Sequence, residues 1–313
     1  QMKVLVTGCL GFIGSNLTRH LLIQGHHVLG FDNGCNISVN PTDRIKSGIG
    51  EAWKRFRYEK VDIRNLEVMA SICRNEQPDA IVHLAALGSV PRSFSSPAEV
   101  LDVNSVGFVR VLQLAGIMKI KRFVYASSSS VYGNSQNAYR GESDGLGRPT
   151  SPYALSKQDN EMMAELLAPL LGVQCIGLRF FNVYGPGQKP DGAFAAVIPK
   201  WFMEKDIVIH GDGETTRDFT HVSDVVRAID LGLSTPNHSF VANVGAGKAV
   251  TLNQLADLIG QGKKEIKRTG PRVGDVRASI ANTDRAKQLL KFEANVSIEQ
   301  GIESARTFYS GMI

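Results

Sequence analysis

Tyr153 and Lys157 stand four residues apart in the segment SPYALSK (151–157), a spacing that puts both side chains on one face of a helix. Ser151 is suited to cap that helix and Pro152 to open it. The chemistry on offer is that of a base. An ammonium beside a phenol favours phenolate, so a tyrosine that titrates near 10 in isolation is expected to take up a proton closer to neutrality. Tyr and Lys pairs at this spacing also commonly do no more than cover a helix surface, so the pair gains its meaning from what else the chain carries.

GCLGFIG (8–14) supplies Gly8, Gly11 and Gly14, with Phe12 and Ile13 between them, directly after the apolar run KVLVT (3–7) and at the start of a helical pattern. Glycines there permit a tight turn and close approach of backbone to a pyrophosphate, whose charge is favoured at a helix N-terminus. Asp32, followed by Asn33, lies at the end of the second predicted strand, about 20 residues on, where a carboxylate binds adenosine ribose hydroxyls. That carboxylate repels a ribose 2′-phosphate, so NAD is expected rather than NADP. Asp62 with Ile63 is placed to reach the adenine, although an aspartate there is equally an ordinary turn residue.

These residues need a frame to hold them. Apolar, β-branched runs at KVLVT (3–7), HHVLGF (26–31), AIVHLA (80–85), RFVYAS (122–127) and VQCIGL (173–178) alternate with longer helical patterns. Continuous apolar strands separated by amphipathic helices indicate a parallel sheet covered on both faces. The expectation is an α/β protein: a Rossmann-type, doubly wound parallel sheet over residues 1–178, then a smaller α/β substrate domain over 179–313, some of whose segments return to the first. Glycine and proline punctuate GPGQKPDG (185–192) and GDGETTRD (211–218), and helical stretches are expected near 223–233, 251–260 and 298–309. Loops of this kind placed over the carboxyl ends of the strands are where ligands bind.

Composition narrows the field further. A chain of 313 residues with a formal charge of +5 has its nearest approach to a basic run at Lys263, Lys264, Lys267 and Arg268, which reads as a solvated face, so no nucleic-acid partner is expected. Cys9, Cys35, Cys73 and Cys175 are far apart, with neither disulfide nor metal spacing, which suits reduced thiols and implies no metal site. Neither a membrane-length apolar run nor a secretory leader is read, Gln1 is taken as an expression remnant, and a cytoplasmic location without membrane partners is the expectation.

Together the glycine trio, ASSSSVYG (126–133) and the Tyr153/Lys157 pair resemble the extended short-chain dehydrogenase/reductase family. HLAA (83–86), Asn104, RFFNVYGP (179–186), GDGETTRDF (211–219), HVSD (221–224) and PRVGDVRAS (271–279) resemble that family's nucleotide-sugar enzymes over nearly the whole chain. The resemblance implies that Leu84, Ala85, Ala86 and Asn104 join the cofactor site and that Ser128, three residues before the Val of VYG, is the catalytic hydroxyl. Tyr153 as phenolate would then take the proton of the sugar C4 hydroxyl while hydride passes from C4 to the nicotinamide, with Lys157 holding the ribose and Ser128 orienting the hydroxyl. The family's 4,6-dehydratases carry an acidic pair after that hydroxyl. Ser129 and Ser130 stand there instead, which leaves 4-epimerisation with NAD recycled.

Further residues matching the family imply a UDP-sugar substrate: Asn182 at the diphosphate or sugar, Arg217 and Arg272 as phosphate and nucleotide clamps, and Asp275 at the uridine ribose. ALGSVPRS (86–93) and GQKPDGAFAAVIPKW (187–201) resemble the members that prefer UDP-N-acetylglucosamine and UDP-N-acetylgalactosamine. In that group Ser89, Ser129 and Ser130 would face the acetamido side, Ala196 and Val197 would contact the substrate, and a small Ser279 would leave room for the N-acetyl group. A UDP-galactose or UDP-glucuronate 4-epimerase, or a member that binds NAD without turnover, stays open. A homodimer is expected, because the helix from about 98 to 117 carries Val100, Leu101, Val103, Val106, Val109, Leu112 and Leu114; together with the helix beginning at Pro152 it would form an intersubunit four-helix bundle, as the resemblance implies.

Overall fold

The computed structural model of the chain describes residues 1–135, 137–191, 196–235, 238–270 and 278–312. Seven parallel strands form its main sheet: β1 (Lys3–Thr7), β2 (His27–Asp32), β3 (Phe56–Lys60), β4 (Ala80–His83), β5 (Arg122–Ser128), β7 (Gln174–Phe180) and β12 (Phe240–Val244). Their order is β12-β7-β5-β4-β1-β2-β3, so the winding reverses between β1 and β4, and a crevice opens there at the strands' carboxyl ends. The runs expected as strands all pair in this sheet. Two members were not read: FRYEK of β3, which carries too little apolar pattern, and FVANV of β12, which lies among the short elements of the second half.

Helices cover both faces. On one side α1 (Phe12–Ile23), α9 (Val222–Ser234) and α11 (Asp284–Leu290) close a core around Val4, Val6, Leu17, Leu21, Val225 and Ile229. On the other, α3 (Leu66–Glu76), α6 (Gly107–Ile117) and α7 (Pro152–Leu171) close a second core around Leu5, Phe31, Ile81, Phe108 and Phe123. Short helices α2 (Pro41–Lys46), α4 (Val90–Ser95) and α5 (Pro97–Leu101) fill the connections, and one wide turn over Asp102–Val106 joins α5 to α6. The resulting continuous helix, Pro97–Ile117, has 21 residues and is long and apolar enough to cross a membrane. The run was missed because Glu99, Asp102 and Arg110 interrupt it. Its Phe108, Val111, Leu112, Leu114 and Ala115 are buried in the second core.

A third core, around Trp201, Phe202, Ile207, Leu255 and Tyr309, unites α8 (Val197–Met203), α10 (Leu252–Gly260) and α12 (Ile298–Ser310). Above the main sheet a small four-stranded sheet runs in the order β13 (Val250–Thr251), β10 (Thr216–Arg217), β15 (Ala278–Ala281) and β6 (Tyr139–Arg140). Two further pairs, β8 (Val183–Tyr184) with β11 (Thr220–His221) and β9 (Ile207–His210) with β14 (Ile266–Thr269), complete the strands.

Val100, Leu112 and Leu114 on the 97–117 helix are buried inside the protomer, so much of the apolar surface expected to face a partner serves the chain's own core. Val106 and Ile117 of that helix are exposed, and α7, the other helix of the expected bundle, exposes Leu155, Met162, Met163, Leu166 and Leu170.

Candidate active site

β5 ends at Ser128 and turns into a short 3-10 segment, Ser129–Tyr132, because the Ser128 hydroxyl accepts a hydrogen bond from Ser130 N at 3.1 Å. Opposite it α7 begins at Pro152, capped by the Ser151 hydroxyl, which accepts from Ala154 N at 3.0 Å. Strand end and helix start are held together from behind by a buried ion pair. Arg179 donates to both Glu161 oxygens at 2.9 and 2.7 Å, and the Ser127 hydroxyl donates to Glu161 at 2.5 Å. Gln158 of the same helix donates to Val131 O and Gly147 O. Ser128 and Tyr153 thereby come within hydrogen-bonding reach of each other.

The electrostatics differ from the simple picture of a lysine-activated phenol. Burial pushes the Tyr153 pKa above 10, and the hydrogen bond with Ser128 only partly offsets it. Lys157 Nζ lies 5.8 Å from the tyrosine ring centroid and donates to Ala126 O at 2.9 Å. Lys157 is 4 % exposed, and its pKa falls from 10.5 to about 8 through loss of solvent. Spacing placed the two side chains on one face, but the burial of both works against ionisation. Beside Lys157, His83 is kept neutral by burial, its pKa lowered to about 3, and its Nδ1 sits 2.8 Å from the Thr7 hydroxyl.

Beyond these residues a cavity of about 780 Å³ runs along the carboxyl ends of the strands. At one end are Gly8, Gly11, Phe12, Ile13 and Gly14. Gly8 has φ +70°, and a Cβ there would meet Ala85 N at 2.8 Å, while one on Gly14 would stand 1.9 Å from Gly8 O. Helix α1 is preceded by Gly11 as N-cap, with no side-chain cap and no acidic residue in its first turn, which leaves amide donors and the positive end of the helix dipole for an anion. Asp32, at the end of β2, accepts from Leu10 N at 3.1 Å and Gly34 N at 2.8 Å, and Asn33 follows it along the wall. Asp62, Ile63, Leu84, Ala85 and Ala86 continue that wall. The Asp62 carboxylate is held by Arg64 in a turn and has its pKa lowered to about 2 by that hydrogen bond. Asn104 stands behind the wall, not on it: its amide bonds Leu87 N at 2.8 Å and Ser156 Oγ at 3.1 Å, tying the 84–88 loop to α7.

At the other end the cavity meets Ser89, Ser129, Ser130, Asn182, Arg217 and Ser279. Asn182 adopts φ +29° and donates to Asp218 O at 2.8 Å, a conformation that asparagine tolerates better than most residues. Ser279 pairs with Arg217 across β15 and β10, and β15 is an inner strand of its sheet. Ala196 and Val197 are not on the wall: Ala196 is the buried N-cap of α8, and Val197 opens that helix and packs against the third core. Arg272 and Asp275 lie outside the described residues. Among wall residues that the sequence did not single out are Ser38, Arg140, Thr150, Gln188, Lys189 and Asp191. The last three belong to the glycine-punctuated loop after β8, which is joined to the loop after β2 by the Ser38 hydroxyl donating to Gly187 O at 2.7 Å.

A backbone turn that excludes Cβ atoms, free amides at a helix start and a carboxylate 20-odd residues later fit a dinucleotide with unphosphorylated ribose. Residues 4–245 match the model of the NAD dependent epimerase/dehydratase family. The chain belongs to that family. NAD is the cofactor of this epimerase/dehydratase family member, and the enzyme is similar to several characterised proteins. UDP-glucuronate 4-epimerase of Thermodesulfobacterium geofontis is 32% identical, over 96% of this chain and 93% of that one. The crystal structure of UDP-glucose 4-epimerase from Thermotoga maritima with UDP-glucose is 32% identical, covers 99% of each chain and superposes with a TM-score of 0.90. UDP-N-acetylglucosamine 4-epimerase from Methanobrevibacter ruminantium in complex with UDP-N-acetylmuramic acid is 29% identical with a TM-score of 0.90, over 100% of this chain and 99% of that one.

Proposed function

We propose that this epimerase/dehydratase family member interconverts the C4 epimers of a UDP-hexose, with UDP-N-acetylglucosamine and UDP-N-acetylgalactosamine as its substrates. The observation that carries the reading is the meeting of Ser128 and Tyr153 in one cavity, with the glycine turn at one end and Arg217 with Ser279 at the other. NAD, when bound at the glycine turn, supplies reversible hydride chemistry at a sugar carbon.

The chain's own residues handle the proton and the orientation. Tyr153 takes the proton from the C4 hydroxyl and later returns it, and its burial keeps bulk water from competing. Ser128 hydrogen-bonds the same oxygen and so steadies it in both the alcohol and the ketone state. Lys157, held by Ala126 O, orients the ribose of the cofactor and favours phenolate. Arg217 engages the diphosphate, for which a planar guanidinium is suited. Serines at 129 and 130 offer hydroxyls and no acid, which leaves the keto sugar no partner for loss of water. The small side chain of Ser279 supports the N-acetylated substrates by leaving space on an inner strand that faces the ring. In the same reading residues 1–178 carry the cofactor and 179–313 the sugar nucleotide, with β12 returning to the main sheet.

The test is to incubate the protein separately with UDP-GlcNAc, UDP-GalNAc, UDP-glucose and UDP-galactose without added reductant, and to resolve the products. Conversion within the acetylated pair is expected. Conversion of the non-acetylated pair alone would overturn the substrate, and no conversion of any would overturn the reaction.

A further inference from the structure

Asp218 follows Arg217 at the end of β10 and is fully buried. Successive side chains on a strand point to opposite faces, and Arg217 lines the cavity while Asp218 does not. Its carboxylate turns into the seam behind the small sheet and gathers main-chain amides from two segments distant in sequence. Oδ1 accepts from Ala246 N at 2.8 Å, and Oδ2 from Gly247 N at 2.8 Å and Ala281 N at 3.1 Å. Ala246 and Gly247 belong to the loop that leaves β12 of the main sheet and leads to β13, the neighbour of β10. Ala281 ends β15, two residues beyond Ser279. A buried carboxylate is costly unless its oxygens are bonded. Burial raises the Asp218 pKa to about 6, with the three amides acting in the opposite direction.

The main chain of Asp218 is engaged as closely. Its amide donates to Ser279 O at 3.1 Å, continuing the ladder between β10 and β15, and its carbonyl accepts from Asn182 Nδ2 at 2.8 Å. Arg217, Asn182 and Ser279, which meet at one end of the cavity, are thus each a single covalent or hydrogen bond away from Asp218. Asp218 is in turn tied to β12, and through it to the sheet that carries the glycine turn. Space at this joint is tight. A Cβ on Gly245 would stand 2.7 Å from Asp218 Oδ2 and 2.5 Å from the Ala281 Cβ.

We propose that Asp218 is a positioning residue for the substrate end of the cavity: it sets Arg217, Asn182 and Ser279 in register with the main sheet, so that affinity for the sugar nucleotide depends on it and affinity for NAD does not. This rests on reading that end of the cavity as a UDP-sugar site. A carboxylate suits the task because it only accepts and has lone pairs for three amides, and its charge strengthens each bond. An asparagine of the same shape would turn its NH2 toward at least one of those amides and leave that amide unpaired.

The test compares the two ends of the cavity by calorimetry, titrating UDP into NAD-loaded protein and NAD into cofactor-free protein. Asp218→Asn should weaken UDP binding roughly tenfold and leave NAD within about twofold. Gly245→Ala, which presses on the same carboxylate from the loop, should weaken UDP roughly threefold and also spare NAD. A double-variant cycle reads out position: in an Arg217→Met background, Asp218→Asn should cost UDP less than about threefold more, since a misplaced guanidinium and a missing one act alike. UDP affinity that survives both Asp218→Asn and Gly245→Ala, equal losses for UDP and NAD, or a further tenfold or so loss in the Arg217→Met background would each overturn the assignment. If Asp218→Asn does not fold, judged by circular dichroism, Gly245→Ala decides; failure of both to fold would overturn the assignment in favour of a carboxylate that only supports the fold. Wild-type protein that bound NAD and no UDP would refute the UDP-sugar reading and the substrate-end role together, whereas UDP binding that both variants retain would refute the role of Asp218 alone.

Discussion

Replacing Lys157 with Met removes a charge that the fold keeps at a cost. The side chain is buried, and its pKa falls from 10.5 to about 8 because the ammonium loses solvent. At about 1.36 kcal/mol per pH unit, that difference corresponds to about 3 kcal/mol by which the charged lysine disfavours folding at neutral pH. Against this stands the bond from Nζ to Ala126 O at 2.9 Å, whose loss costs about 1 kcal/mol. Lys157→Met should therefore make the cofactor-free protein about 2 kcal/mol more stable at pH 7 while abolishing turnover. The sign follows from proton counts. Between about pH 8 and 10.5 the unfolded chain still binds the lysine proton and the folded chain has released it, so wild-type stability rises through that window and the variant's does not.

Urea denaturation of both proteins at several pH values from 7 to 10.5 measures the difference directly. The advantage of the variant should shrink by about 3 kcal/mol across the interval and reverse sign near its upper end. A difference that stays constant with pH would mean that the ammonium is well solvated or paired in the folded state. The account of Lys157 as a desolvated charge held for function would then be refuted.

Tyr153→Phe should preserve NAD binding and lower kcat by at least about a hundredfold, since the ring keeps its shape and loses its proton acceptor; retention of more than about a tenth of the wild-type rate would exclude Tyr153 as the base. Ser279→Tyr should suppress conversion of UDP-GlcNAc and UDP-GalNAc by about a hundredfold or more and spare any activity on UDP-glucose and UDP-galactose, as read by product analysis of the four sugars side by side. Leu166→Glu, in the middle of the exposed α7 stripe, should convert a homodimer to monomer in light scattering at micromolar concentration, and a wild-type protein that is already monomeric would refute the helix-mediated dimer.

What could be read from residue order alone follows from how local each signal is. The turn at 8–14 works through φ angles and missing Cβ atoms within seven residues, so its glycines announce it, and the strands on either side are apolar runs buried on both faces. Strand β3 is an edge strand with two exposed positions in a row, and so it lacks both the continuous and the alternating pattern. Strand β12 was lost for a different reason: it follows some 60 residues of short elements and pairs with β7 only through the tertiary fold. Tyr153 and Lys157 were legible because helix spacing fixes their common face. How deeply both are buried, which reverses the expected direction of the tyrosine pKa, depends on strands and loops distant in sequence.

Arg140 marks the limit of sequence reading, and it also shows where structure adds chemistry. It sits on a strand of two residues between glycine- and serine-rich turns, with no motif, period or paired charge to draw notice. Only the closure of β6 onto β15 brings it to the wall that Arg217 and Ser279 already share. Burial lowers its pKa, and Asp144 and Tyr132 act in the opposite direction. Lys157 poses the same physical problem and has an evident use at the cofactor. Lys157, Arg140 and Arg217 are buried cations that meet on one cavity wall with the carboxylates of Asp32, Asp62 and Asp191, an arrangement of charges drawn from segments distant in sequence that only the folded chain brings together.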